Sequence, residues 1–121
     1  MHELSLAHSI IEIAKQYLQD APSCTVRSIR VKVGALSCVN GESLTFSFNL
    51  MAVDTAVQGA KLVIEELPLV IFCSVCNQTR QLPGIQGLQC PNCGTITSDI
   101  RQGNELEVDS LEVEENPTGD P

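Results

Sequence analysis

Two stretches of this 121-residue chain place chemically competent side chains at telling intervals. In "CSVCNQTRQLPGIQGLQCPNCG", Cys73, Cys76, Cys90 and Cys93 form two C-x-x-C pairs separated by a short polar loop. Thiolates three residues apart on a tight turn can both reach one ion at about 2.3 Å, and two such turns complete a tetrahedron. The spacing therefore predicts a closed four-cysteine site holding structural Zn(II). Gly94 directly after the second pair suits a turn whose N–H groups point toward sulfur. The other stretch is the opening "MHELSLAHSI". A bulky second residue disfavours removal of Met1, so the amine of Met1, the amide nitrogen of His2 and an imidazole nitrogen can close fused chelate rings around one ion. The amide or carboxylate of Glu3 is available as a fourth ligand. Such planar nitrogen ligation suits Ni(II) or Cu(II), whereas Zn(II) prefers a tetrahedron. Spacing alone does not separate this from an ordinary histidine at position two.

Other chemistries fit less well. A redox dithiol needs one C-x-x-C at a helix N-terminus with a depressed thiol pKa, and gains nothing from a second pair. A nucleic-acid-binding ribbon needs basic and aromatic residues between the pairs, yet the stretch from Phe72 to Gly103 offers only Arg80 and Arg101 and no further aromatic. The "HE" at His2 and Glu3 does not open a metalloprotease motif, because His8 is six positions on and about 240° around a helix from His2. His8 reads as an ordinary helix residue. Cys24 and Cys38 flank a predicted strand at its two ends, too far apart for a disulfide if that strand is continuous, and read as free thiols.

The elements that must carry these residues follow from periodicity. Apolar residues at Leu4, Ala7, Ile11, Ala14 and Leu18, with a second row at Leu6, Ile10, Ile13 and Tyr17, predict a helix with a wide buried stripe, ended at Asp20, Ala21 and Pro22. Ile29, Val31 and Val33 alternate with Ser28, Arg30 and Lys32, which predicts a strand over Thr25 to Leu36. "ESLTFSFNLMAV" fits either period, and Asn40 as N-cap with Glu42 in the first turn favours helix. Lys61 to Phe72 reads as a strand bent at Pro68, and Leu106 to Val113 as a last strand whose apolar parity flips near Asp109 and Ser110.

The expected fold is α/β (α+β): a small three-stranded mixed sheet with two helices on it, plus an inserted zinc-ribbon subdomain. Residues 1–70 would form one domain, completed by a returning strand over 104–115, with the ribbon at 71–103 and a loose tail at 116–121. Seven basic against fifteen acidic residues give a formal charge of −8, which argues against nucleic acid and other polyanions as partners. No apolar run reaches the roughly 18 to 20 residues that span a bilayer, and no secretory layout opens the chain, so no membrane contact is expected and a cytoplasmic location is. In that reducing compartment paired cysteines hold metal more often than each other.

Taken together, "MHELSLAHSI", "VKVGALSCVNGESLTFSF", the pairs ending in "CPNCG" and "QGNELEVDSLEVEE" resemble the HypA/HybF family of hydrogenase maturation nickel chaperones from Met1 to about Glu115. The resemblance implies nickel held through Met1, His2 and Glu3 as cargo, and zinc held structurally by Cys73, Cys76, Cys90 and Cys93. It implies a carrier and no enzyme, delivering Ni(II) to the large subunit of [NiFe] hydrogenase with a maturation GTPase, and in some organisms serving urease. The family fold also implies helix for the ambiguous segment. Both a monomer and a homodimer fit, the latter with possible strand or domain exchange. The competing reading is a zinc-ribbon interaction module without nickel transfer.

Overall fold

The computed structural model describes residues 3–83 and 87–115. Met1, His2 and the expected tail at 116–121 lie outside them. The elements run α1 (Glu3–Asp20), β1 (Cys24–Gly34), a 3-10 turn (Ala35–Ser37), α2 (Gly41–Met51), β2 (Lys61–Leu67), β3 (Leu69–Cys73), β4 (Gln78–Leu82), β5 (Ile100–Gln102) and β6 (Leu106–Glu115). The strands form two three-stranded sheets, ordered β2-β1-β6 and β4-β3-β5. Among the described residues, no helix is long and apolar enough to cross a membrane.

The chain divides into two compact units. Segments 3–31, 39–64 and 108–115 make the first, which contains both helices. Segments 32–38 and 65–107 make the second, so the cysteine pairs belong to a unit wider than 71–103 that also takes in the end of β1 and the 3-10 turn.

In the first unit, α1 packs against α2. The buried stripe of α1 is Leu6, Ala7, Ile10, Ile11 and Ala14. It is narrower than the periodicity suggests, since Leu4, Ile13 and Tyr17 are exposed. The segment that fits two periods is a helix, as expected: the Asn40 side chain accepts a hydrogen bond from the Ser43 N–H at 2.8 Å, satisfying one donor left over at the helix start, and Leu44 and Phe48 are fully buried. Ile29 and Val31 of β1 are also fully enclosed.

Pro68 does more than bend a strand. The chain on either side of it enters different sheets, β2 in one and β3 in the other, because a residue without an N–H cannot continue a ladder. Along β6 the half-buried positions are Leu106 and Val108, then Leu111 and Val113, so the parity does change across Asp109 and Ser110. The antiparallel β3–β4 pair runs in register from Leu69 opposite Leu82 to Cys73 opposite Gln78, and β3 also pairs antiparallel with β5. The core of the second unit is small: Leu69, Ile71 and Leu82, with Leu36, Leu88 and Ile100 packed around them. Two glycines allow its chain segments to touch. A Cβ on Gly34 would lie 2.1 Å from the Gly103 carbonyl oxygen, which itself accepts from the Leu36 N–H at 2.8 Å. Gly103 sits at φ +128 against Leu69, a conformation that side-chain-bearing residues rarely adopt.

Candidate metal centre

Cys73 is the last residue of β3, and the turn that follows carries Cys76 before β4 begins at Gln78. Cys90 and Cys93 occupy a second turn, pinned by the Gly94 N–H donating to the Cys90 carbonyl and the Cys90 N–H donating to the Thr95 carbonyl, both at 2.9 Å. The residue after each pair is left-handed, Asn77 at φ 56 and Gly94 at φ 81. Asparagine and glycine are the residues that accept this conformation most readily, so the two turns are built alike.

The turns bring all four sulfurs within 4.8 Å of one another. Cys73 Sγ lies 3.5 Å from Cys93 Sγ, and Cys76 Sγ lies 3.9 Å from Cys90 Sγ. A tetrahedral ion with metal–sulfur bonds of about 2.3 Å requires sulfur–sulfur edges of about 3.8 Å, and the cluster already has that size. The same distances rule out disulfides, whose bond is about 2.05 Å, and all six cysteines are free. Cys73 and Cys90 are buried, Cys76 is half-buried and Cys93 is exposed.

Local donors prepare these sulfurs for ionisation, which metal binding requires. The backbone N–H of Cys93, followed by that of Asn92 and by the neighbouring thiols, outweighs burial and brings the Cys90 thiol down to about 6 from an ordinary 9.0. The Thr95 side chain and backbone lower Cys93, whose Sγ is 3.1 Å from Thr95 Oγ1. At Cys73 the Cys76 N–H, 3.4 Å away, favours the thiolate, but burial and the adjacent Cys93 and Cys90 thiols prevail and raise it. Four thiols this close cannot all ionise without a cation between them.

Periodicity and motif did not single out the outer contacts. Asn92 Nδ2 donates to Cys76 Sγ at 3.4 Å, and the Arg80 guanidinium donates to Cys76 and Cys90, which raises its own pKa. The available signal was a basic residue whose neighbours Gln78, Thr79, Gln81 and Leu82 are all uncharged. The other basic residue between Phe72 and Gly103, Arg101, is engaged elsewhere: it forms paired hydrogen bonds of 2.7 and 2.9 Å with Asp99 and lies 4.6 Å over the Phe72 ring. Each group holds the other's charge, so Asp99 is lowered and Arg101 raised.

At the other expected site, Met1 and His2 fall outside the described residues. Glu3 heads α1, half-buried, and its carboxylate accepts from the Asn40 N–H at 3.4 Å. It lines an open cavity of about 430 Å³ with Leu4, Glu42, Ser43, Phe46 and Ser47. His8 is an exposed residue of α1.

A helical α/β unit joined in one chain to a small sheet with four converging thiols defines a metal-handling protein. Comparison with known proteins makes the class specific. Residues 1–113 match the family model described as "Hydrogenase/urease nickel incorporation, metallochaperone, hypA". A hydrogenase maturation factor HypA of Roseiflexus sp. is 38% identical over 116 residues, covering 96% of this chain and 94% of that protein. One from Chloroflexus aggregans is 39% identical over 113 residues, covering 93% and 99%. The chain belongs to the HypA family, a family of nickel-incorporation metallochaperones. Among solved structures, the solution structure of the Ni metallochaperone HypA from Helicobacter pylori shares the fold with a TM-score of 0.63 at 22% identity, covering 93% of this chain and 97% of that one.

Proposed function

We propose that this protein carries Ni(II) on its N-terminal segment, through Met1, His2 and Glu3, and delivers it to the large subunit of [NiFe] hydrogenase in the cytoplasm, with a maturation GTPase as partner. The observation that carries this reading is the match to a nickel-incorporation family from residue 1 onward, a span that includes the M-H-E segment. Glu3 supports it by tying the start of α1 to the start of α2 through the Asn40 N–H, so that a ligand set beginning two residues earlier has a fixed base. Nickel here is cargo: planar nitrogen ligation at the chain's first residues allows release, which suits a carrier. No step of catalysis is assigned to the chain.

Zn(II) is proposed for Cys73, Cys76, Cys90 and Cys93, whose sulfur spacing fits a tetrahedral ion. When bound, the ion supplies two positive charges and four bonds that hold the two turns together. The residues around it contribute N–H donors to sulfur and keep water from Cys73 and Cys90.

A metal titration separates the two sites. His2→Ala, or residues added ahead of Met1, is expected to abolish Ni(II) binding measured by isothermal titration calorimetry while leaving one zinc per chain. Undiminished nickel affinity in the extended protein would refute the terminal site.

A further inference from the structure

Arg80 stands on β4 opposite Ile71, two residues along from the pairing of Gln78 with Cys73. Its Nε is buried and has no hydrogen-bond partner, the one side-chain nitrogen or oxygen in that condition among the described residues. Burying part of a cation is costly unless an anion compensates it. Among the described residues, the partners of this guanidinium are the Cys76 and Cys90 sulfurs. Cys76 receives a further donor from Asn92 Nδ2 at 3.4 Å. Four thiolates around a divalent ion leave about two negative charges uncompensated. A guanidinium is permanently charged and presents several donors in a fixed fork, so it can serve two sulfurs at once.

We propose that Arg80, assisted by Asn92, is the positioning residue of the four-cysteine centre, a half-buried counter-ion that hydrogen-bonds the Cys76 and Cys90 thiolates and fixes how tightly they hold their ion. This rests on the reading of the four cysteines as a metal site. The arrangement explains why an arginine occupies a strand flanked by uncharged Gln78, Thr79 and Gln81. It also leaves Arg80 engaged inside its own unit rather than offered to a polyanion.

The test uses the full-length chain loaded with Co(II), whose absorption reports both geometry and the electron richness of the sulfurs. The native protein is expected to give the spectrum of a tetrahedral four-thiolate site. Arg80→Gln is expected to weaken Co(II) binding about 10- to 100-fold, the usual effect of losing an outer partner of a ligand. It should also move the sulfur-to-cobalt charge-transfer band to lower energy, because sulfur lone pairs relieved of a nearby cation ionise more easily. A purely structural arginine would not move that band. Arg80→Lys, which keeps the charge without the fork, should recover part of both effects. Affinity within twofold of native together with an unmoved band in Arg80→Gln would overturn the proposal. If Arg80→Gln does not fold, the native chain loaded with 113Cd decides: scalar coupling from cadmium to a guanidinium proton of Arg80 supports the contact, and its absence refutes it. A native chain that never gives a four-thiolate spectrum would instead sink the metal reading itself.

Discussion

The two units of this protein are held together by different means. The first fills its interior with aliphatic and aromatic side chains, among them Ile10, Ile29, Val31, Leu44, Phe48 and Val57, each buried to within 1% exposure. The second has only Leu69, Ile71 and Leu82 at its centre, and beyond them its buried side chains are Val33 and the two sulfur-bearing residues Cys73 and Cys90. Apolar burial scales with the size of what is buried, and strands of five and three residues enclose little. On the proposed zinc reading, a cross-link by converging ligands would do for the second what a core does for the first. Order in one unit should therefore respond to volume and in the other to metal and protons.

The largest effect expected from this contrast is that of metal removal. A strong chelator, or Cys73→Ser, is expected to abolish amide protection in β4 and both cysteine turns while α1 and α2 stay protected, as read by hydrogen exchange. Structural zinc sites in small peptides contribute about 10–16 kcal/mol of apparent binding free energy, ample to decide whether such a unit folds. Equal loss of protection in α1 would break the comparison.

Acid should act on the same unit. The Cys90 pKa is lowered in the fold, to about 6 from 9.0, so the stabilisation from its thiolate is present above the unfolded value and is lost as pH falls through about 6. Metal competes with protons for the same sulfurs, so release monitored with a colorimetric zinc indicator is expected to grow as the pH falls. Release already at pH 8 would contradict the thiolate assignment.

In the first unit the effects are smaller and insensitive to metal. Phe48→Ala should cost about 3–5 kcal/mol in urea unfolding through the cavity it leaves, with zinc content unchanged. Asn40→Ala removes the side-chain cap on Ser43 and should cost about 1 kcal/mol. The Glu3 contact should survive that change, because it is made to the backbone N–H of Asn40. A stability loss from Asn40→Ala as large as that from Phe48→Ala would mean that the residue does more than cap.

Much of this was legible in the sequence where chemistry or periodicity is strict. Cysteines at i and i+3 can be read as pairs because the metal–sulfur distance dictates the turn, and Asn40 could be read as a cap because its role depends on residues three away. The strands β4 and β5 were not legible. "QTRQL" and "IRQ" lack two-residue apolar alternation because their pairing with β3 is secured by backbone bonds and ligand geometry more than by a buried face. The same mixture hid Arg80, which looks like a surface residue until the turns converge beside it. Pro68 was recognisable as a break, but which sheet each flank joins depends on contacts remote in the chain. On α1, Ile13 and Tyr17 satisfy helical spacing yet stay exposed, since periodicity marks a face and not the width that neighbours cover.

The four sulfurs differ in one respect that bears on kinetics. Cys73 and Cys90 are enclosed, whereas Cys93 faces solvent. A competing ligand from solution meets Cys93 first, so exchange of an ion at this centre would open at that vertex and proceed inward, with the two enclosed sulfurs the last to let go.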